Sequence, residues 1–370
     1  MTVSIQTNPD LRLNTQASPR ILIVRLSAVG DVVHALPALN ALRAAMPQAH
    51  IGWAVHPGAS NLLEGHSQID ELIIVPRQVF GWKGLAGLSG LRKLLRGSSG
   101  WDWAVDFQGL TKSGVAAWLS GAPRRVGFAG NASRELNTLF MTDRIAPQSP
   151  GVISMNMELL KPIGISKHAA KAVLSYTADD MEIVESWARK YGIINERFLV
   201  IDPFAGWQSK LWEQANWIDM TREAGKKFGL RVLVIHGPGE VMKAEQIAQR
   251  IRAAGTDAMV APSTTLRQLA ALLREHAACV VAGDTGPMHM AAALGVPTVA
   301  LFGPSDSRRN APAFDGAMFV ALQDFSQPCA GSFARHCRYH PPGKCMASLS
   351  PDQVIDALES LISAAATNIP

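Results

Sequence analysis

Cysteine is scarce, with four residues in a chain of 370. Cys279 stands in an apolar run and reads as a core residue. Cys329, Cys337 and Cys345 share a late segment with His336 and His340, but their wide spacing lacks the Cys-x2-Cys pairing of zinc sites. Packing within a loop is expected there rather than a metal. Long apolar runs are missing too: no uninterrupted stretch could cross a bilayer as a helix, and residues 1–20 lack the apolar core of a secretion signal. A disordered tail over 1–20 and a cytoplasmic protein are expected. Neither sign of charge dominates, since 35 Lys and Arg face 30 Asp and Glu for a net +5 and a pI of about 9.1. That surplus is too mild for a nucleic-acid-binding surface. Short-period repeats and low-complexity tracts are absent as well.

Apolar residues are plentiful, 48% of the chain, and at this length they suffice for two sizeable cores. They fall in short runs that alternate with helical patterns, which predicts a doubly wound α/β architecture. In the first half, strands are expected at Ile21 to Leu26, Ile51 to Val55, Glu71 to Val75, Trp103 to Phe107 and Arg124 to Phe128. In the second half they are expected at Phe198 to Asp202, Arg231 to Ile235, Ala258 to Val260, Cys279 to Ala282 and Thr298 to Phe302. Two separate sheets flanking a cleft follow from this, with a final amphipathic helix over Pro351 to Ala365.

The stretch Val280 to Pro304 is the most informative. A buried strand runs into Gly283-Asp284-Thr285-Gly286, then a small-residue helix, then a second buried strand ending at Gly303-Pro304. A polar loop between a strand end and a helix N-terminus suits an anion, with Thr285 able to donate a hydroxyl hydrogen bond and His289 facing back from the next turn. The bland alternative is that Asp284 only caps the helix. Two further polar clusters end neighbouring strands: Pro203 to Trp212, containing Lys210, and His236 to Glu240. Lys210 would neutralise phosphate, Glu240 would accept from ribose hydroxyls and the glycine loop would hold a diphosphate. Taken singly, Lys210 reads equally as an exposed loop lysine and Glu240 as a carboxylate at a helix start. In the first half, Ser27 to Asp31 and Gln108 to Ser113 occupy equivalent strand ends. Arg77, Lys83, Arg92, Lys93 and Arg96 lie among Phe80, Trp82 and leucines, a mixture that suits an anionic membrane surface or else a solvated helix face.

The pieces ILIVRLSAVGDVVHALPAL, DFQGLTKSG, RRVGF with SREL, HGPGE and GDTGPMHMAAALGVPTVALFGPSD occur here in the order seen in the lipopolysaccharide heptosyltransferases of glycosyltransferase family 9. The chain resembles that family from Ile21 to the last helix. The run containing Ser27, Gly30, Asp31, His34 and Pro37, together with the Asp-Thr-Gly loop and His289, carries the resemblance. The Gln-Gly-Leu-x-Lys-Ser element is most similar to the branch that adds the first heptose to the inner core, heptosyltransferase I. At Gly151 many members carry a histidine, and the cysteine-bearing segment is closer to other branches.

This resemblance implies a GT-B fold, with two Rossmann-like domains facing a central cleft. Residues 21–175 would bind the acceptor and 176–350 the nucleotide-sugar donor, while 351–370 would form a helix packing back toward the first domain. It also implies metal-independent, inverting transfer from ADP-heptose to a Kdo-bearing lipid A at the cytoplasmic membrane surface, with no cofactor. By motif position Asp31 matches the general base. Lys210, Glu240, Asp284, Thr285, Gly286 and His289 match donor contacts, and Ser27, Gly30, Lys112, Arg124 and Arg134 fall where acceptor contacts are expected. Competing readings are a transferase using another acceptor or nucleotide sugar, a nucleotide-sugar epimerase on a related fold, and a catalytically silent binding protein.

Overall fold

The structure, a computed structural model, describes residues 18–80, 87–97, 99–166, 169–337 and 343–367. The first half contains β1 (Arg20–Val24), α1 (Val29–Ala45), β2 (His50–Val55), α2 (Pro57–Ser60) and β3 (Glu71–Ile74). It continues with α3 (Leu88–Arg96), β4 (Trp103–Asp106), α4 (Thr111–Leu119), β5 (Arg124–Phe128), β6 (Asp143–Ile145) and α5 (Val152–Glu158). The second half opens with α6 (Ala178–Tyr191), β7 (Phe198–Asp202), α7 (Gln214–Phe228), β8 (Val232–Val234), α8 (Val241–Ala253), β9 (Ala258–Val260) and α9 (Leu266–His276). It ends with β10 (Ala277–Gly283), α10 (Gly286–Ala293), β11 (Thr298–Leu301), α11 (Ser307–Asn310), β12 (Phe319–Leu322), α12 (Lys344–Ala347) and α13 (Pro351–Thr367).

Each half builds a six-stranded sheet, ordered β3-β2-β1-β4-β5-β6 and β12-β11-β10-β7-β8-β9, with every pairing parallel. Read from its own first strand, the second sheet repeats the order of the first. The winding reverses between β1 and β4 in one half and between β7 and β10 in the other, and open parallel sheets bind ligands at such reversals. The loops after these four strands are the polar ones picked out by sequence.

Strand identity follows from burial on both faces. Ile21, Leu22, Ile23 and Val24 are fully buried, as are Leu199, Val200, Ile201, Val280 and Val281. A sheet covered on both sides selects such continuous apolar runs rather than alternation. The edge strands β6 and β12 are only partly buried, and β6 carries no such run for periodicity to find.

Helix starts are set locally. Thr177 accepts from the Asp180 amide at 3.2 Å while the Asp180 carboxylate accepts from the Thr177 amide at 2.9 Å, which defines the beginning of α6. Arg267 on α9 then joins the halves: it pairs with Asp180 at 3.0 Å and donates to the Glu64 carbonyl at 2.9 Å.

The expected return of the last helix toward the first domain is not what the structure shows. The apolar stripe of α13, Val354, Ile355, Leu358 and Leu361, is buried in one cluster with Leu199, Trp217, Val299 and Leu301 of the second half. Lys227 on α7 fastens it to Glu359 at 2.7 Å. The stripe matches the open face beside α7, β11 and β12, and burying it there leaves no apolar side to present elsewhere.

Candidate active site

The two reversal points face each other across a cavity of about 590 Å³. Its walls include Ser27, Gly30, Asp31, Lys112 and Arg134 from the first half and Lys210, Asp284, Thr285, Gly286 and His289 from the second. Ten of the twelve residues picked out by sequence therefore line one space.

The first wall is the N-terminus of α1. Asp31 lies in its opening turn, with Oδ2 accepting from the Ala28 amide at 3.1 Å and Oδ1 paired to Arg25 Nη2 at 2.5 Å. Its side chain is still 41% exposed, so the carboxylate caps the helix and also presents free lone pairs to the cavity. Arg25 is buried beside it and also donates to the Phe107 carbonyl. Behind this wall Asp106 ends β4 and organises the next loop, accepting from Ser113 Oγ at 2.8 Å, Asn137 Nδ2 at 2.6 Å and the Gln108 amide at 2.8 Å. That web brings Lys112 to the cavity edge. Burial lowers the Lys112 ammonium from its ordinary range, assisted by Arg77 and Arg25 and opposed by Glu135.

The second wall is the N-terminus of α10. Asp284 does not cap the helix. Its carboxylate takes Lys210 Nζ at 2.7 Å on one oxygen and His289 Nε2 at 3.0 Å on the other. Burial alone would raise its titration, but His289 and Lys210 hold it far below the usual carboxylate range. Lys210 also donates to the Asp284 carbonyl at 3.0 Å and lies over the Trp207 ring at 4.7 Å, so the β7 loop is locked to the β10 loop. The Thr285 hydroxyl is not free: it donates to Asp202 Oδ2 at 2.8 Å.

The walls meet through two glycines. A Cβ on Gly30 would lie 2.6 Å from His289 Cδ2, and one on Gly286 would lie 2.9 Å from Val29 Cγ1. Only glycine permits this approach, which brings two helix N-termini with their free amides and positive dipole ends to one space. His34 of α1 packs edge-on against His289, with ring centroids 4.1 Å apart. Burial, and next His289, push its imidazole well below the ordinary range, so it is a neutral packing element.

Two sequence-predicted residues lie elsewhere. Arg124 begins β5, at the end of the sheet opposite the cavity, where it grips Asp143 at 2.6 and 3.0 Å and covers the Trp103 ring at 4.4 Å. An acceptor role for Arg124 is thereby corrected: ligand edges form at carboxyl ends of parallel strands, and Arg124 is at an amino end. Glu240 precedes α8 outside the cavity lining, with Oε2 accepting from the Gly237 amide at 2.8 Å. It is near enough to Asp202 to raise that group's titration.

The cavity also contains Arg25, Trp207, Arg309, Asn310 and Arg335, which sequence reasoning did not single out. An arginine in the otherwise apolar run Ile21 to Leu26 was a usable signal for Arg25; a four-residue helix such as α11 carries none for Arg309. Cys329, Cys337 and Cys345 surround a separate space of about 410 Å³ with Ser209 and Phe333. Burial pushes Cys345 up to about 12, and Cys329 adds to the effect. Among the described residues no three His, Cys, Asp or Glu are arranged to hold a metal ion, and no helix is long and apolar enough to cross a membrane.

Two Rossmann-type halves meeting at the starts of α1 and α10 have the GT-B architecture, and the family match makes the chain a glycosyl-transferring enzyme. Residues 89–341 match glycosyltransferase family 9 (heptosyltransferase), and the chain belongs to that family. It is 28% identical to lipopolysaccharide heptosyltransferase 1 of Pseudomonas aeruginosa, over 94% of this chain and 99% of that protein. Among solved structures, a family 9 glycosyl transferase from Veillonella parvula superposes with a TM-score of 0.78 at 22% identity, over 94% of this chain and 97% of that one. The E. coli heptosyltransferase WaaC with ADP gives 0.69 at 24% identity, over 92% and 99%.

Proposed function

We propose that this protein is an inverting heptosyltransferase that moves heptose from ADP-heptose to the Kdo of a lipid A inner core, working on the anionic inner face of the cytoplasmic membrane. The observation that carries this reading is the meeting of Asp31 with the Lys210–Asp284–Thr285 wall in one cavity. Transfer requires an acceptor hydroxyl to attack C1 of the sugar as the diphosphate leaves from the opposite side. Asp31 accepts the hydroxyl proton as that bond forms. Lys210 and the α10 amides take up the charge that develops on the leaving diphosphate, which supplies electrostatically what a divalent cation supplies in other transferases. An ADP whose phosphates sit at α10 would extend past β7 toward Glu240 after β8, the ribose partner this reading expects.

The test is incubation of the purified protein with ADP-heptose and Kdo-lipid A in the presence of a chelator, scored by ADP release and the mass of the lipid. A lipid heavier by one heptose is expected. Asp31→Asn should lower turnover by roughly 10²- to 10⁴-fold while leaving ADP affinity near wild type. Tight ADP binding without transfer in the wild type would refute the acceptor, and full turnover by the variant would leave Asp31 as a helix cap only.

A further inference from the structure

Two arginines sit side by side on α11 and are treated differently. Arg308 points outward and is neutralised by Asp306 at 2.7 Å. Arg309 points into the cavity, half-buried, and among the described residues forms no ion pair within 4 Å; its guanidinium donates to Asn310 Oδ1 at 2.8 Å and faces the Phe333 ring at 5.9 Å. Burial lowers its affinity for the proton, Asp31 opposes this most strongly, and Arg134 and Arg25 add to the lowering. Arg309 shares its cavity with Arg25, Asp31 and Arg134 of the other half, and a Cβ on Gly151 of that half would lie 4.0 Å from the Arg308 carbonyl oxygen, so α11 reaches across the cleft. A half-buried guanidinium that lacks a carboxylate partner and lines the cavity with Arg25 and Arg134 has hydrogen-bonding capacity and charge that an anion would complete.

The leaving diphosphate already has its seat at Lys210 and the start of α10. The anion for Arg309 belongs nearer Asp31, where the reacting acceptor sugar must lie. We propose that Arg309, carried by the donor half, binds the carboxylate of the acceptor's acidic sugar beside Asp31 and so selects acidic-sugar acceptors. This rests on the glycosyl-transfer reading above. A planar fork suits a carboxylate in a bidentate pair, and its charge offsets the repulsion between that carboxylate and Asp31. Because Arg309 comes from the opposite half, the acceptor would be recognised only with both walls in place.

The test combines Arg309→Met and Arg309→Lys with Kdo-lipid A, the same lipid with its sugar carboxyl reduced to an alcohol, and the same lipid stripped of its phosphates. With native acceptor, Arg309→Met should raise acceptor KM on the order of 10- to 100-fold, the loss of a charge-assisted hydrogen-bonded pair, with ADP affinity changed less than twofold. With the carboxyl-reduced acceptor the variant and wild type should be equally poor, and Arg309→Lys should recover part of the native KM. A tenfold loss of ADP affinity would overturn the proposal in favour of a diphosphate contact. An undiminished penalty on the reduced acceptor, or one abolished only by removing the phosphates, would overturn it as well. Calorimetry with a Kdo methyl glycoside on the ADP-saturated protein separates the two readings. Binding lost in Arg309→Met, with no heptose transfer by wild type, would sink the transfer reading and keep this one; no binding to wild type would sink this one.

Discussion

Asp202 closes β7 immediately behind the Asp284–Gly286 loop, buried and accepting from Thr285 Oγ1 at 2.8 Å and the Phe204 amide at 3.3 Å. Burial pushes its carboxyl up to about 7, more than those two hydrogen bonds pull it down, with Glu240 raising it further. The folded protein therefore holds a proton that the unfolded chain has released between about pH 4 and about pH 7. In that window stability falls as pH rises, by about 1.4 kcal/mol per unit, and the decline ends above the folded value. Asp202→Asn should remove this part of the slope in a denaturant titration repeated across pH 4 to 8. An identical slope in the variant would show that Asp202 does not carry it. Ionisation also puts a negative charge behind Thr285, so ADP affinity should weaken above neutrality in wild type and not in Asp202→Asn.

At the scale of elements, the site is two helix starts pressed together. α1 and α10 approach through Gly30 and Gly286, and the imidazoles of His34 and His289 fill the space one turn deeper. His289 cannot swing aside without giving up its 3.0 Å bond to Asp284. Gly30→Ala should therefore overpack the junction at a cost of about 1–3 kcal/mol, seen as a fall of several degrees in Tm with a loss of turnover. An unchanged Tm and kcat would mean that the halves separate freely at this contact. The sequence marked Gly30 and Gly286 as members of two polar strand-end loops; that each packs against a side chain from the opposite half was not legible, because the partner lies more than two hundred residues away.

At the scale of the whole molecule, the surface of the first half around α3 and α4 combines charge with exposed apolar groups. α3 buries Leu91 and Leu95 and leaves Arg92, Lys93, Leu94 and Arg96 exposed. Trp118 on the neighbouring α4 is 54% exposed and Leu139, in the segment packed against α4, is 69% exposed. Lys83 and Trp82 lie outside the described residues. Basic and apolar groups exposed on the packed α3–α4 region of the first half suit an anionic lipid surface. Arg92→Glu with Lys93→Glu should weaken sedimentation with anionic phospholipid vesicles by on the order of tenfold or more, leaving neutral vesicles unaffected. Trp118→Ala should weaken binding to both kinds. Wild-type protein that fails to sediment with anionic vesicles at low salt would refute the membrane reading.

What the sequence determined by itself is what depends on local pattern. Continuous apolar runs named the central strands because a parallel sheet covered on both faces tolerates little else, and Gly-Asp and Asp-Thr-Gly marked two helix starts because amide-rich turns need those residues. Order along the chain placed Asp31, Lys210 and the Asp284–His289 loop at carboxyl strand ends. Tertiary structure alone decided which strand end faces which. It laid α13 on the second sheet and turned Asp284 from a helix cap into the clasp between Lys210 and His289. It also delivered Arg309 from one half to the cavity lined by Asp31 of the other. Each of these depends on burial and charge contributed by residues distant in sequence, and no periodicity or motif spacing encodes them.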